Sequence, residues 1–173
     1  ISESGVENIM FDTEYDPEVV TPRTASHRRG ELHQSDEAHA WTAIKAFSIE
    51  HCWIRNVSSK HMGFGLAHLT GGTKNVTVEN CHCYEPISII RGNRRYAFHM
   101  AGSQLCLFRD CTCEYDRHGF ATGARTNGPS VFLNCTLTNA EQEVGPHLKW
   151  ANGVLYDNLV TDGHLAVQDG TNG

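Results

Sequence analysis

No stretch of this chain is apolar enough over enough residues to cross a membrane, which takes about 20 apolar residues as a helix. No membrane partner is therefore expected. The chain also lacks an excess of positive charge. Its 14 Lys and Arg are outnumbered by 20 Asp and Glu, for a net charge of −6. A nucleic-acid partner calls for a basic footprint, so none is expected. A sustained apolar stripe of 3.6-residue period is missing, which argues against amphipathic helices. Leucine is too sparse for leucine-rich repeats. There is no Cys-x-x-Cys spacing among the seven cysteines, so a structural zinc site of that kind is not expected. Neither an initiator methionine nor a signal peptide is present, and the first and last residues lie beside strand-like runs.

What the chain does have is a repeat. It reads Phe47-Ser-Ile-Glu-His-Cys52-Trp-Ile, Val76-Thr-Val-Glu-Asn-Cys81-His-Cys and Cys106-Leu-Phe-Arg-Asp-Cys111-Thr-Cys. Ser130-Val-Phe-Leu-Asn-Cys135-Thr-Leu follows, and Val154-Leu-Tyr-Asp-Asn158-Leu-Val is a weaker fifth copy. Counted between Cys52, Cys81, Cys111, Cys135 and Asn158, the steps are 29, 30, 24 and 23 residues. A period in this range means stacked structural units. Each copy alternates apolar and polar residues, as a half-buried strand does. The residues His51, Asn80, Asp110, Asn134 and Asp157 interrupt the alternation. Asn and Asp tolerate unusual torsions and bond nearby backbone, so this position reads as a sharp corner between two strands. A third strand-like segment precedes each copy and ends in His68-Leu-Thr-Gly, His99-Met-Ala-Gly, Arg125-Thr-Asn-Gly and Trp150-Ala-Asn-Gly. Three short strands per coil and about six coils describe an all-β chain, a right-handed parallel β-helix. Residues 1–173 form one domain on this reading. Solenoids need capped ends, so a fragment of a longer β-helix, or ends covered by partners, is expected.

The inward columns hold Cys52, Cys81, Cys83, Cys111, Cys113 and Cys135, which read as small buried apolar residues. Residues 13–40 break the repeat and read as a long loop insertion of functional size.

Chemistry is expected on the loops that follow the third strand of each coil. They carry Lys60 and His61, then Arg91, Arg94 and Arg95, then Tyr115, Asp116, Arg117 and His118, then Glu141, Glu143, His147, Lys149 and Trp150. Beside them, an outward column His68/His99/Arg125/Trp150/Gln168 is expected to run along the stack. A floor of His and Arg with an aromatic beside it suits a linear anionic sugar chain. Arg binds carboxylate in a fork, and successive coils offer successive subsites.

The runs His39-Ala-Trp41-Thr-Ala-Ile, Arg94-Arg-Tyr-Ala-Phe98, Arg117-His-Gly-Phe-Ala-Thr-Gly123 and Gly145-Pro-His-Leu-Lys-Trp-Ala151 resemble a bacterial group of pectin-lyase-like β-helix proteins. The likeness to that superfamily covers nearly the whole chain. It implies a secreted or periplasmic polysaccharide lyase that cleaves a uronic-acid polymer by β-elimination. Such a reaction needs a cation on the substrate carboxylate, a base for the C5 proton and an acid for the leaving oxygen. Arg95 or Arg125 is the expected neutraliser. His118 is the expected base, helped by Arg117, with His99 or His147 in its place if needed. Tyr115 or Lys149 is the expected acid. Arg94, Arg95, His68, His61, Lys149, Trp150 and Asp116 are expected to bind substrate. The calcium-dependent members of the superfamily hold their metal in an acidic cluster. None is present on this repeat, so no cofactor is expected. A two-carboxylate glycoside hydrolase using Asp116 with Glu141 or Glu143 is the alternative enzyme. A carbohydrate-binding or tailspike-like β-helix is the non-catalytic one.

Overall fold

The computed structural model describes residues 1–24 and 28–167. Gln168, named above, lies outside the described residues. The described chain is all-β, with 17 strands and no helix, hence no helix able to cross a membrane.

Parallel pairing dominates, and it comes in three sets. In the first, Gly5–Phe11, Glu50–Lys60, Lys74–Glu79, Leu107–Arg109, Asn127–Leu133 and Asn152–Asp157 pair in that order. In the second, the end of Glu50–Lys60 pairs with His82–Tyr84, followed by Thr112–Glu114, Thr136–Thr138 and Val160–Thr161. The third runs Thr42–Phe47, Gly65–Thr70, Phe98–Ala101, Phe120–Thr122 and Gly145–Pro146. Each set therefore takes one strand from each successive stretch of the repeat. A short antiparallel hairpin, Val20–Pro22 with Leu32–Gln34, lies within the segment 13–40 expected to be loop alone.

Inward residues of the three sets form one core. Phe108 stacks on Phe132 with ring centroids 4.8 Å apart, and Phe132 stacks on Tyr156 at 4.9 Å. From the third set, Phe98 stacks on Phe120 at 5.2 Å and meets Phe108 edge-on at 6.2 Å. All seven cysteines are free and buried, as small apolar residues would be.

The register corrects the repeat at both ends. Cys52 lies opposite Val76, and Ser58 lies opposite His82. So Val57, not Cys52, fills the place of Cys81, and Asn56 rather than His51 is the corner. In the last copy Tyr156 lies opposite Phe132, and Thr161 opposite Leu137. Leu155 and Val160, one residue out of that register, are 54% and 58% exposed. The corner there is Asn158, not Asp157. The true series is Val57, Cys81, Cys111, Cys135 and Leu159, with steps of 24, 30, 24 and 24 residues. The longer step carries the loop with Arg91, Arg94 and Arg95.

The corner has a visible cause. Asn8, Asn56, Asn80, Asp110, Asn134 and Asn158 all have φ between 49° and 55°, a left-handed conformation Asn and Asp adopt at least cost. Their amides bond from one copy of the repeat to the next: Asn56 to Asn8 at 3.1 Å, Asn80 to Asn56 at 2.8 Å, Asn134 to Asp110 at 3.1 Å and Asn158 to Asn134 at 2.9 Å. Asn134→Ala loses two ladder bonds and strains the corner. It should lower stability by about 1–2 kcal/mol, read from the urea midpoint. Asn134→Gly keeps the torsion free and should lose less; equal losses would mean the torsion is not what selects Asn.

Candidate functional site

The third set of strands builds the site. His68 pairs in register with His99, and His99 with Ala121, not Arg125. Both imidazoles line a groove of about 280 Å³ with Phe64, Tyr96, Arg117 and His147 among its walls. Phe64 lies stacked between His68 (4.9 Å) and Tyr96 (5.2 Å). His99 meets His68 edge-on at 4.8 Å and Tyr96 at 5.1 Å. Gly123 leaves room for it, since a Cβ there would come 3.0 Å from the His99 ring. The loops stack as expected: Arg95 donates its N–H to the Gly63 carbonyl, and Arg117 and His118 donate theirs to the Arg95 carbonyl.

Arg117 donates to the Tyr96 hydroxyl oxygen at 2.9 Å and lies 5.8 Å from its ring. Burial, helped by Lys45, holds His68 down to about 4. Burial, then the neighbouring His68 and His147, holds His99 to about 3. Burial and then Arg117 lower His147, while Glu143 pulls the other way. The groove thus presents one guanidinium among neutral imidazoles at neutral pH. It can pair with a carboxylate and accept a proton beside it.

Several expected site residues are elsewhere. His118 is buried directly behind His147, ring centroids 4.0 Å apart, so it is not an open base. Arg125, Lys149 and Trp150 are exposed and do not line the groove. The strand ends at Thr122 and Arg125 lies three residues beyond it, so the Gly that closes each segment does not mark a common register. Trp150 is 79% exposed, with no place in the His68/His99 column. His61 bonds Asp12 at 2.8 Å and Glu85 at 3.2 Å and borders a different hollow with Tyr15 and Pro17. Tyr115 lies under the Arg28 guanidinium at 5.1 Å and is not part of the groove lining.

Arg94 forks onto Glu37 at 2.8 and 3.0 Å and lies over Trp41. Its charge is already matched. Arg95 is buried and donates to the carbonyls of Ser88 at 2.8 Å, Tyr115 at 3.1 Å and Gln34 at 3.3 Å. Asp116 is buried with no groove face; burial pushes it up to about 8, against the pull of Arg95. Glu141 is buried in an ion pair with Arg23 of the 13–40 segment. Neither carboxyl of the Asp116/Glu141 pair is offered to a sugar. The segment 13–40 thus packs over Arg94, Arg95 and Glu141.

Tyr96 and Phe64 were not among the sequence candidates. Tyr96 sits in the Arg94-Arg-Tyr-Ala-Phe98 run, and its place after two cations was the available signal. The chain matches no family model, no curated protein and no solved structure.

Proposed function

We propose that this chain is a right-handed parallel β-helix of the pectin-lyase-like kind, and a lyase that cleaves an anionic uronic-acid polysaccharide by β-elimination. The three parallel sets, advancing by about one 24-residue coil at a time, support the architecture. One observation carries the function: Arg117, bonded to the Tyr96 phenol, stands in a groove walled by the neutral imidazoles of His68, His99 and His147.

Arg117 pairs with the uronate carboxylate and so acidifies the neighbouring C–H. His68 lines the groove, is held neutral by burial, and takes the C5 proton. The electron pair left at C5 forms the C4–C5 double bond, and the glycosidic oxygen departs from C4. Tyr96 gives that oxygen its proton. The low basicity of His68 means that carboxylate pairing supplies much of the activation. A secreted or periplasmic location accords with such a substrate.

The test is a screen of the full chain on uronic-acid polysaccharides, followed by the ultraviolet absorbance of the new double bond. Arg117→Ala and His68→Ala should each reduce it about 100-fold or more, and Tyr96→Phe similarly. New reducing ends without that absorbance would replace elimination by hydrolysis. Saturable binding without turnover would leave a carbohydrate-binding β-helix.

A further inference from the structure

We propose that His118, Glu143 and His147 form a binding site for a divalent transition-metal ion of the zinc type, opening onto the groove. One ligand atom from each residue lies within 4.8 Å of the others. Glu143 and His147 come from one loop, four residues apart, and His118 from the preceding coil. The carboxylate oxygen Oε1 of Glu143 stands 3.6 Å from Nδ1 of His147.

A second, independent observation points to a ligand. Nε2 of His118 is buried without a hydrogen-bond partner, on a side chain 1% exposed. Nδ1 of His147 is buried and unpartnered as well. Orphaned buried nitrogens are costly, and two in adjoining rings call for a shared partner. The tautomer of His118 is set in the way metal ligands are set. Its Nδ1–H donates to the Glu143 backbone carbonyl at 2.9 Å, which leaves the lone pair on Nε2.

The donor set selects the ion. Calcium and magnesium take oxygen ligands, whereas two imidazoles and one carboxylate suit zinc and its neighbours. Three protein ligands leave a fourth position open, and His147 places it at the groove wall. Ligands about 2.1 Å from zinc stand about 3.4 Å apart in a tetrahedron. Metal binding should therefore draw the Glu143–His147 loop inward by about 1 Å.

The experiment uses the full chain, stripped with EDTA and titrated with Zn²⁺, Co²⁺ and Ca²⁺ separately. One Zn²⁺ per chain should bind and raise the melting temperature, and Co²⁺ should give a tetrahedral visible spectrum. Glu143→Gln and His147→Ala should each weaken binding at least ~10-fold, with circular dichroism confirming the fold. His82→Ala, an imidazole far from the site, should not. The proposal is overturned if Zn²⁺ does not bind, if Ca²⁺ binds as well as Zn²⁺, or if the Glu143 and His147 variants bind like the parent. The Co²⁺ spectrum reads a direct ligand, so loss of stability alone cannot imitate the result. Metal binding is read without any polysaccharide, so it stands or falls separately from the lyase reading.

Discussion

Arg95→Met is expected to cost the fold about 3–5 kcal/mol, the range for removing one member of a buried charged network. Arg95 is 2% exposed. Burial lowers its guanidinium to about 10, with Asp116 opposing the fall, so it remains charged at neutral pH. Its fork joins three segments: the carbonyl of Gln34 in the hairpin, of Ser88 in its own loop and of Tyr115 in the next copy of the repeat. Met fills the volume but leaves three carbonyls without their donor. Arg95→Lys keeps the charge and loses the fork, and should fall between Met and the parent. Asp116→Asn should cost far less, because burial already favours the uncharged carboxyl. Urea midpoints order the variants. Limited proteolysis gives a second reading, since losing the Gln34 bond should expose residues 13–40. A Met variant as stable as the parent would mean the carbonyls are not held by Arg95.

Acidification from about pH 6.5 to about pH 4.5 should destabilise the protein before carboxylates become important. His33 is 8% exposed and is held to about 4 by burial first, then by Arg95 and Arg23. His68 is held to about 4 in the groove. In the unfolded chain both return to about 6.5. Between these values the unfolded state binds more protons, so stability falls as pH falls. The contribution is complete above the unfolded value and is lost progressively down to the folded one. Fully expressed, each shift is worth about 3 kcal/mol. His68 is open to solvent on one side and is screened, so the pair is expected to lose about 3–4 kcal/mol by pH 4. Carboxylates such as Glu37, held low by Arg94, act in the same sense but at lower pH. Urea midpoints at about pH 7 and about pH 4.5 check the effect. His33→Phe should reduce the dependence by the His33 share only, because His99, held to about 3, acts in the same sense; a parent protein indifferent to this window would remove its cause.

The middle of the repeat was legible because two signals coincide there. Period-two alternation and a left-handed Asn or Asp both mark Cys81, Cys111 and Cys135. At Cys52 the signals conflict. Ser48 and His51 also have positive φ, 53° each, so a genuine bend stands beside the wrong cysteine. At the far end, Asp157 and Asn158 both suit a corner, and only pairing with Asn134 decides between them.

The site was legible in position but not in depth. Arg117, His99 and His147 do share a groove. His118 is at the expected loop position yet lies behind His147. The arginines were matched by partners distant in sequence, Arg94 by Glu37 57 residues away and Arg95 by Gln34 61 residues away. Such partners have no local signature.

By itself, the sequence determined the all-β class, the middle copies of the repeat, the buried cysteines and the side where the histidines gather. These follow from alternation and from torsional preference, which act over a few residues. The tertiary structure decided which strand copies stand in register, which cations are already paired and which imidazoles face the groove. Those outcomes depend on how neighbouring copies of the repeat and the 13–40 segment pack, because burial and charge pairing are properties of contacts between residues distant in sequence.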